Sequence, residues 1–258
     1  MRQLEFSGVS HSYTAVDGGV THALEGLSLA VAGGQSVAVI GPSGCGKSSM
    51  LQLAAGLLVP DEGRVSVDGE PLAGPRQATG LILQDFGLLP WKTVLANAEL
   101  GLKLRKVPRA ERRKRALDAL SVVGLEAFAA KYPGELSGGM RQRLALARSL
   151  ALDVDLLLMD EPLSALDALL REQLQETLLS LWREQGYAQV LVTHSIEEAV
   201  YLGQRIYVLS ARPGHVVGTV DNPGMGSAGY RGSEAYFALV NEVRALLHAG
   251  AGEGAAYA

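Results

Sequence analysis

Residues 41–48 have the types and the spacing of a phosphate-binding loop. They read GPSGCGKS and match G-x-x-x-x-G-K-[ST], a pattern whose glycines let backbone N–H groups turn inward around phosphates. Here Lys47 can reach the β- and γ-phosphates, and the Ser48 hydroxyl can ligate Mg²⁺. The alternative is an ordinary glycine-rich turn, which the strand predicted before it and the helix predicted after it disfavour. The nucleotide-binding residues predicted in this segment are Gly41, Pro42, Ser43, Gly44, Cys45, Gly46, Lys47, Ser48 and Ser49.

An acidic pair, Asp160-Glu161, ends the apolar run at residues 156–159. In a parallel sheet the carboxyl ends of neighbouring strands line one crevice, so these acids are expected to face the phosphate loop. Asp160 is predicted to hold Mg²⁺ through water, and Glu161 to polarise the attacking water as general base. The alternative is an acidic cap on the next helix, which Pro162 would begin.

Gln84 and His194 each follow a predicted strand, so both can point into the same crevice. Gln84 could contact Mg²⁺ and the lytic water, which would make it both a metal and a catalytic residue. His194 could donate a hydrogen bond to the γ-phosphate and orient the water. Taken singly, each is more readily explained as an ordinary polar residue at a strand end.

Strands that alternate with helices predict a parallel, right-handed α/β sheet around these residues. Asp17-Gly18-Gly19 indicates a hairpin or loop, and Val59-Pro60 is expected to end the helix after the phosphate loop near Leu58. The predicted strands are residues 36–40, 156–159, 189–193 and 204–210, and residues 64–69 are predicted to form a strand and a turn. The predicted helices are residues 93–104, 110–123, a leucine-faced segment from 166 to about 186, and 236–248.

The bulk composition is that of a globular protein, with 258 residues, 48% hydrophobic residues and a net charge of −4. This charge gives no global positive field, so nucleic acid is not expected as a partner. Cys45 is the only cysteine, which excludes an intrachain disulfide framework and fits a reducing, cytosolic setting. No apolar run approaches the ~18–20 residues that span a bilayer, so work at a membrane would need a membrane-embedded partner.

Taken together, these motifs resemble the ATP-binding cassette (ABC) ATPases from Tyr13 to about Gly214. The order along the chain is specific: Tyr13, the phosphate loop, Gln84, LSGGM at residues 136–140, Asp160-Glu161, SALD at residues 164–167, and His194. The resemblance implies a P-loop NTPase with a RecA-like core, an antiparallel β subdomain and an ABC-type helical subdomain inserted at about 88–150. It places the ATPase domain at 1–222 and leaves 223–258 as a tail with a short helix.

The resemblance also implies roles that one copy of the chain cannot complete. In the family, Tyr13 stacks on adenine, and two cassettes dimerise head to tail. Ser137, Gly138 and Gly139 of one copy then complete the ATP site of the other, and Asp167 lies near the bound nucleotide. A serine and two glycines before a helix form an N–H-rich anion site, although a tight turn without a ligand is the alternative.

A finer similarity points to the importer subfamily for nitrate, sulfonates and taurine. It rests on residues 88–94 (LLPWKTV), 193–199 (THSIEEA) and 209–214 (LSARPG). It implies a peripheral protein on the cytoplasmic face of the cell membrane, bound to permease subunits and served indirectly by an extracytoplasmic solute-binding protein. The cofactors implied are ATP and Mg²⁺. The alternative is a non-transport ABC ATPase of DNA repair, translation or cluster assembly.

Two features near the predicted helical subdomain have two interpretations each. Trp91 is either an exposed anchor where a permease helix docks or a buried core residue. The basic run at residues 105–115 is more simply a solvated helix face than a contact to lipid headgroups or to the permease.

Overall fold

The structure is a computed structural model that describes residues 4–253. The predictions for residues 1–3 and 254–258 lie outside the described residues. Within 4–253 the chain forms ten strands and eight α-helices. The strands are β1 (Leu4–Thr14), β2 (Val20–Val31), β3 (Ser36–Ile40), β4 (Glu62–Val67), β5 (Glu70–Pro71), β6 (Thr79–Ile82), β7 (Leu156–Asp160), β8 (Ala188–Thr193), β9 (Arg205–Leu209) and β10 (Val216–Asp221). The helices are α1 (Lys47–Ala54), α2 (Val94–Ala98), α3 (Leu100–Leu104), α4 (Arg109–Val122), α5 (Gly138–Leu150), α6 (Ala168–Gln185), α7 (Ile196–Leu202) and α8 (Glu234–Glu253).

The larger sheet has six strands in the order β10-β9-β3-β8-β7-β6. Five of them are parallel, as the alternation of strands and helices predicts, and β3, β7 and β8 are buried along their whole length. Because Ile40 pairs with Thr193 and Asp160 with Val192, the carboxyl ends of β3, β8 and β7 meet at one edge. The sixth strand, β10, lies at the edge of this sheet and pairs antiparallel with β9 through a short turn.

The smaller sheet is antiparallel, in the order β2-β1-β4-β5. The predicted hairpin at Asp17-Gly18-Gly19 joins β1 to β2, with the Ala15 N–H donating to the Gly19 carbonyl at 2.8 Å. After β4, Asp68 and Gly69 both have positive φ, 55° and 81°, as a two-residue hairpin turn requires. The antiparallel subdomain implied by the family resemblance is therefore present.

The helix after the phosphate loop ends earlier than predicted. It stops at Ala54 rather than near Leu58, because Gly56 takes a left-handed conformation with φ 71°. The Leu57 N–H donates to the Gln52 carbonyl at 2.9 Å, and the Gly56 N–H to the Leu53 carbonyl at 3.0 Å. This is the hydrogen-bond pattern of a Schellman cap, so the glycine ends α1 before the proline at position 60 can.

The helical insert packs α2, α3, α4 and α5 around one apolar core. The single helix predicted at 93–104 is interrupted at Glu99, where α2 ends and α3 begins. The buried Asn97 accepts from the Leu89 N–H at 2.8 Å and donates to the carbonyls of Leu89 and Lys92. These bonds fix the preceding turn in a conformation that leaves Trp91 69% exposed, so the interpretation of Trp91 as a core residue is wrong.

The predicted leucine-faced helix is α6, whose end at Gly186 is confirmed by a left-handed cap with φ 67°. The tail helix, α8, is longer than the predicted 236–248 and contacts α7, β9 and β10. Ahead of α8, the Tyr230 hydroxyl donates to the buried Asn222 at 2.5 Å, and in the first turn of α8 the Tyr236 hydroxyl donates to the Glu197 carbonyl at 3.2 Å. The first part of the tail is thus fastened to α7.

Among residues 4–253, no helix combines the length and the hydropathy that crossing a membrane requires.

Candidate functional site

The phosphate loop runs from β3 to α1 at the edge where the parallel strands end. Its last glycine, Gly46, has φ 97°, and a Cβ there would lie 2.5 Å from the Ala23 carbonyl oxygen. Only glycine fits this position, which places the first N–H groups of α1 at the loop. The predicted strand–loop–helix setting is therefore confirmed.

Lys47 is the first residue of α1, and it is 7% exposed. Its ammonium donates to the carbonyl oxygens of Gly41 at 2.7 Å and Pro42 at 2.8 Å, which compensates the burial of the charge. Cys45 beside it is buried, and this burial raises the pKa of its thiol. A neutral, enclosed thiol agrees with the role of a small spacer.

A cleft of about 280 Å³ lies over this loop and brings together most of the predicted site residues. Gly41, Pro42 and Cys45 belong to the loop but do not line the cleft. The predicted residues that line it are Tyr13, Ser43, Gly44, Gly46, Lys47, Ser48, Ser49, Gln84, Asp160 and Glu161.

Tyr13 lies at the β1 end of this cleft, where its hydroxyl is 3.0 Å from the Ser49 hydroxyl. Its ring meets the His11 ring edge-on, with centroids 4.9 Å apart. The ring is therefore held on two sides at the mouth of the cleft. This position suits an aromatic platform for a base.

Oxygen donors for a hard cation line the same cleft. Ser48 and Asp160 both line it, and so does Gln84, two residues after β6. Burial raises the pKa of the Asp160 carboxyl, which the Ser48 hydrogen bond and the Lys47 charge oppose. A hydroxyl, a carboxylate and an amide oxygen are the donor set that Mg²⁺ takes beside substrate phosphates, so the residues fit this ion.

Glu161 follows Asp160 and adopts a positive φ of 48°, which few non-glycine residues do. Its Oε1 is 3.1 Å from Nδ1 of His194, and the His194 side chain is 59% exposed. His194 is not part of the cleft lining, but it reaches the rim through this contact. The structure thus joins the acid predicted as general base to the predicted orienting histidine.

The residues predicted to serve a second copy lie outside this cleft, and so does Asp167, which is predicted to bind nucleotide. Ser137 is the N-cap of α5 and accepts from the Met140 N–H at 3.3 Å, with Gly138 and Gly139 as the first helical residues. Asp167 is the N-cap of α6 and accepts from the Leu170 N–H at 3.0 Å. One chain therefore gives them capping roles and does not bring them to its own phosphate loop.

The structure also shows site residues that the sequence reasoning missed. Gln142 of α5 is buried; its amide donates to the Glu161 carbonyl at 2.9 Å and accepts from the Ala165 N–H at 3.0 Å. Arg212 lines the cleft, together with Thr21 and Ala23 of β2. The strand-end rule could have found Arg212, because β9 runs parallel to β3 and the loop after it reaches the same edge.

A family model described as ABC transporter matches residues 24–164, which is more than half of the chain. The chain is 44% identical over 252 residues to the taurine import ATP-binding protein TauB of Rhizobium johnstonii, covering 95% of this chain and 96% of that protein. It is 50% identical over 209 residues to TauB of Burkholderia thailandensis, covering 81% and 80%. TauB of a Yersinia pestis strain is 49% identical over 195 residues, covering 76% of each.

Similar solved structures are also ABC transporter cassettes. A dimeric bacterial ABC transporter cassette is similar with a TM-score of 0.79 and 34% identity, over 86% of this chain and 100% of that one. A dimeric post-hydrolysis state of that cassette, with ADP and Pi bound, matches with the same values.

Proposed function

The chain belongs to the ABC transporter family, and from that premise we propose that it is the ATP-hydrolysing subunit of an importer for taurine or a related solute of the sulfonate and nitrate class. The solute class is supported by the similarity to taurine import proteins, which extends over nearly the whole length of one relative. The short helical insert and the single phosphate loop agree with this class, and no observation favours a repair, translation or cluster-assembly ATPase.

The residues of the cleft can be assigned to different groups of a bound ATP. The base would stack on Tyr13, and the loop N–H groups with Lys47 would hold the β- and γ-phosphates. Ser48, Asp160 and Gln84 would hold Mg²⁺, which neutralises phosphate charge as the γ-phosphoryl group leaves. Glu161 would accept a proton from the attacking water, and His194 would orient that water through its contact with Glu161.

The second half of each ATP site would come from another copy of the chain. The N-terminus of α5 presents Ser137, Gly138 and Gly139, and that of α6 presents Asp167, all away from this copy's own cleft. A helix N-terminus favours an anion, so a facing γ-phosphate would suit the end of α5. The dimeric state of the similar cassette supports a homodimer.

The remaining assignments follow from the importer role. Residues 1–222 would form the ATPase domain, with the helical subdomain at about 88–150, and 223–258 would form the tail.

The exposed Trp91, in the turn whose backbone Asn97 holds, suits an anchor for permease subunits at the cytoplasmic face of the membrane. A solute-binding protein outside would deliver the solute to the permease. ATP would drive transport by binding the closed dimer more tightly than the open one.

The observation that carries the proposal is that Lys47, Ser48, Asp160 and Glu161 line one cleft, with Nδ1 of His194 3.1 Å from Oε1 of Glu161. The test is ATP hydrolysis by the protein reconstituted with its permease and solute-binding protein, with taurine, another sulfonate and nitrate as additions. We expect one of these solutes to stimulate hydrolysis. The Glu161→Gln variant should bind ATP and hydrolyse it ~10²–10³-fold more slowly, because one preorganised catalytic contact is lost.

Glu176→Gln is the matched control, because this change alters an exposed carboxylate of α6 away from the cleft. It should leave both binding and hydrolysis at parental values. Parental hydrolysis by Glu161→Gln would refute the assignment of the general base. A complex that responds to none of the three solutes would refute the proposed solute class.

A further inference from the structure

Arg212 is a cationic side chain of the nucleotide cleft to which no role has been assigned above. It lies in the turn at residues 210–215 between β9 and β10, and its side chain is exposed. Across residues 4–253 no hydrogen bond or ion pair engages its guanidinium. Besides Lys47, the cleft thus contains a second cationic side chain, and no residue of the described chain pairs with it.

The turn that carries Arg212 is held by its own hydrogen bonds. The Ser210 hydroxyl is 2.8 Å from the Ala211 carbonyl and 3.0 Å from the Pro213 carbonyl, and it accepts from the His215 N–H at 3.0 Å. The Ser210 N–H donates to the His215 carbonyl at 2.9 Å. The two ends of the turn are therefore closed on each other, and the backbone at Arg212 has a defined place.

The same turn is fixed to the walls of the cleft. The Gly214 N–H donates to the Ala23 carbonyl at 2.9 Å, and its carbonyl accepts from the Glu25 N–H at 3.2 Å. A Cβ at Gly214 would lie 2.0 Å from the Cys45 carbonyl oxygen, so the turn rests directly on the phosphate loop. The turn that carries Arg212 is thus fixed both to β2 and to the loop that would hold the phosphates.

The position of the turn indicates which group of a bound nucleotide would lie next to Arg212. Tyr13 and its cross-strand neighbour Thr21 line the cleft together with Lys47. Gly214 bridges Leu24 in a parallel sense, so the two residues back to Arg212 follow β2 toward Thr21. With the base on Tyr13 and the β- and γ-phosphates on Lys47, the α-phosphate lies along the stretch between them.

We propose that Arg212 binds the α-phosphate of the nucleotide, which makes it a substrate-binding residue of this cleft. The inference rests on the proposed ATPase function and adds a contact that the phosphate-loop pattern does not contain. A guanidinium presents a planar fork of donors that matches two phosphate oxygens, which an ammonium cannot reproduce. Because ATP and ADP share the α-phosphate, the contact would serve both.

The test is calorimetric titration of the full chain with ATP, ADP and adenosine in the presence of Mg²⁺. For Arg212→Gln we expect the affinities for ATP and ADP to fall together by about tenfold or more, because a charge-assisted hydrogen bond is lost. Adenosine, which has no phosphate, should bind as it does to the parent. Arg212→Lys should recover only part of the loss, since it restores the charge but not the fork.

Arg113→Gln is the matched control, because it removes an exposed arginine of α4 that does not line the cleft. It should leave all three affinities at parental values. Unchanged binding of ATP and ADP by Arg212→Gln would overturn the inference, and so would a loss for ATP alone, which would place the contact at the γ-phosphate. A parent that binds no ATP would instead overturn the proposed function itself.

Discussion

At the residue scale, the site depends on how the main chain holds Glu161. Its N–H donates to the Val192 carbonyl at 2.9 Å, and its carbonyl accepts from Gln142 and from the Ser164 hydroxyl. The side chain is thus left for His194 and the cleft. A fixed backbone with positive φ aims the carboxylate without using its side-chain oxygens, which would leave them for His194 and for a substrate water.

A second carboxyl, Glu198, lies behind this pair and is 4% exposed. It accepts a hydrogen bond from the Thr193 hydroxyl, while its Oε1 has no hydrogen-bond partner. Burial raises the pKa of Glu198, the Thr193 bond and the charges of Arg171 and His194 oppose this, and Glu161 adds to it. The folded state therefore binds this proton more tightly than the unfolded chain does.

The free energy of unfolding should consequently fall as the pH rises from the ordinary carboxyl pKa through the raised pKa of Glu198, because in this range only the folded state retains the proton. The Glu198→Gln variant has no titratable group at this position, so its free energy of unfolding should fall less over the same pH range. Urea unfolding of parent and variant from pH 4 upward measures it. The exposed control Glu176→Gln should keep the parental pH dependence, and parallel curves for parent and Glu198→Gln would contradict the assignment.

At the element scale, the tail is connected to the site through α7, which directly follows His194 and Ser195. The buried Asn222 donates to the carbonyls of Val200 and Gly203 at the end of α7, and its Oδ1 accepts from Tyr230. Tyr236 and Arg244 contact Glu197 near the start of α7. The tail therefore contacts the start of α7 directly and its end through Asn222.

Tyr230→Phe should test the contact through Asn222. It leaves the ring in place but removes the donor to the buried Asn222 oxygen, which should lower the free energy of unfolding by ~1–3 kcal/mol. Urea denaturation measures the loss, and ATP affinity should be unchanged because Tyr230 lies outside the cleft. Tyr132→Phe, at an exposed position, is the control. Equal stability of the two variants would show that the hydroxyl contributes nothing to holding the tail.

Strands and helices whose hydrophobic pattern follows directly from the burial of their own side chains were predictable from the sequence. The central strands are apolar on both faces and were placed correctly, and the strand-end rule brought Asp160-Glu161 to the phosphate loop. The early end of α1 was missed because a Schellman cap depends on Gly56 rather than on the more conspicuous proline. Gln142 was missed because a buried glutamine has no sequence period, and only tertiary packing brings it to Glu161.

At the scale of the whole molecule, the cleft of one chain holds only part of the predicted site. Ser137, Gly138 and Gly139 are presented on another surface. In the proposed dimer they would complete the site of the second copy. Activity should therefore depend on association, so the specific activity of the isolated protein is expected to rise with its concentration.

Ser137→Arg should separate binding from hydrolysis. The bulky cation would obstruct the approach of a second copy but lies outside the cleft with Lys47, so ATP affinity should persist while hydrolysis falls ~10²-fold or more. Phosphate release and nucleotide titration, run over a range of protein concentrations, measure the two effects. Ser121→Arg, on an exposed position of α4, is the control and should behave as the parent. Full hydrolysis by a strictly monomeric protein would contradict the role of the segment.

Gln142 has a consequence for how two such sites would work together. One amide group, a turn beyond Ser137, holds the main chain of Glu161 and the N–H of Ala165. The helix that would contact the neighbour's nucleotide is thereby hydrogen-bonded to the backbone of Glu161, which would orient the water at this chain's own nucleotide. A shift of α5 on binding one nucleotide would therefore displace Glu161 in the other site. A dimer built this way is expected to respond to ATP in a sigmoidal, all-or-none manner rather than as two independent halves.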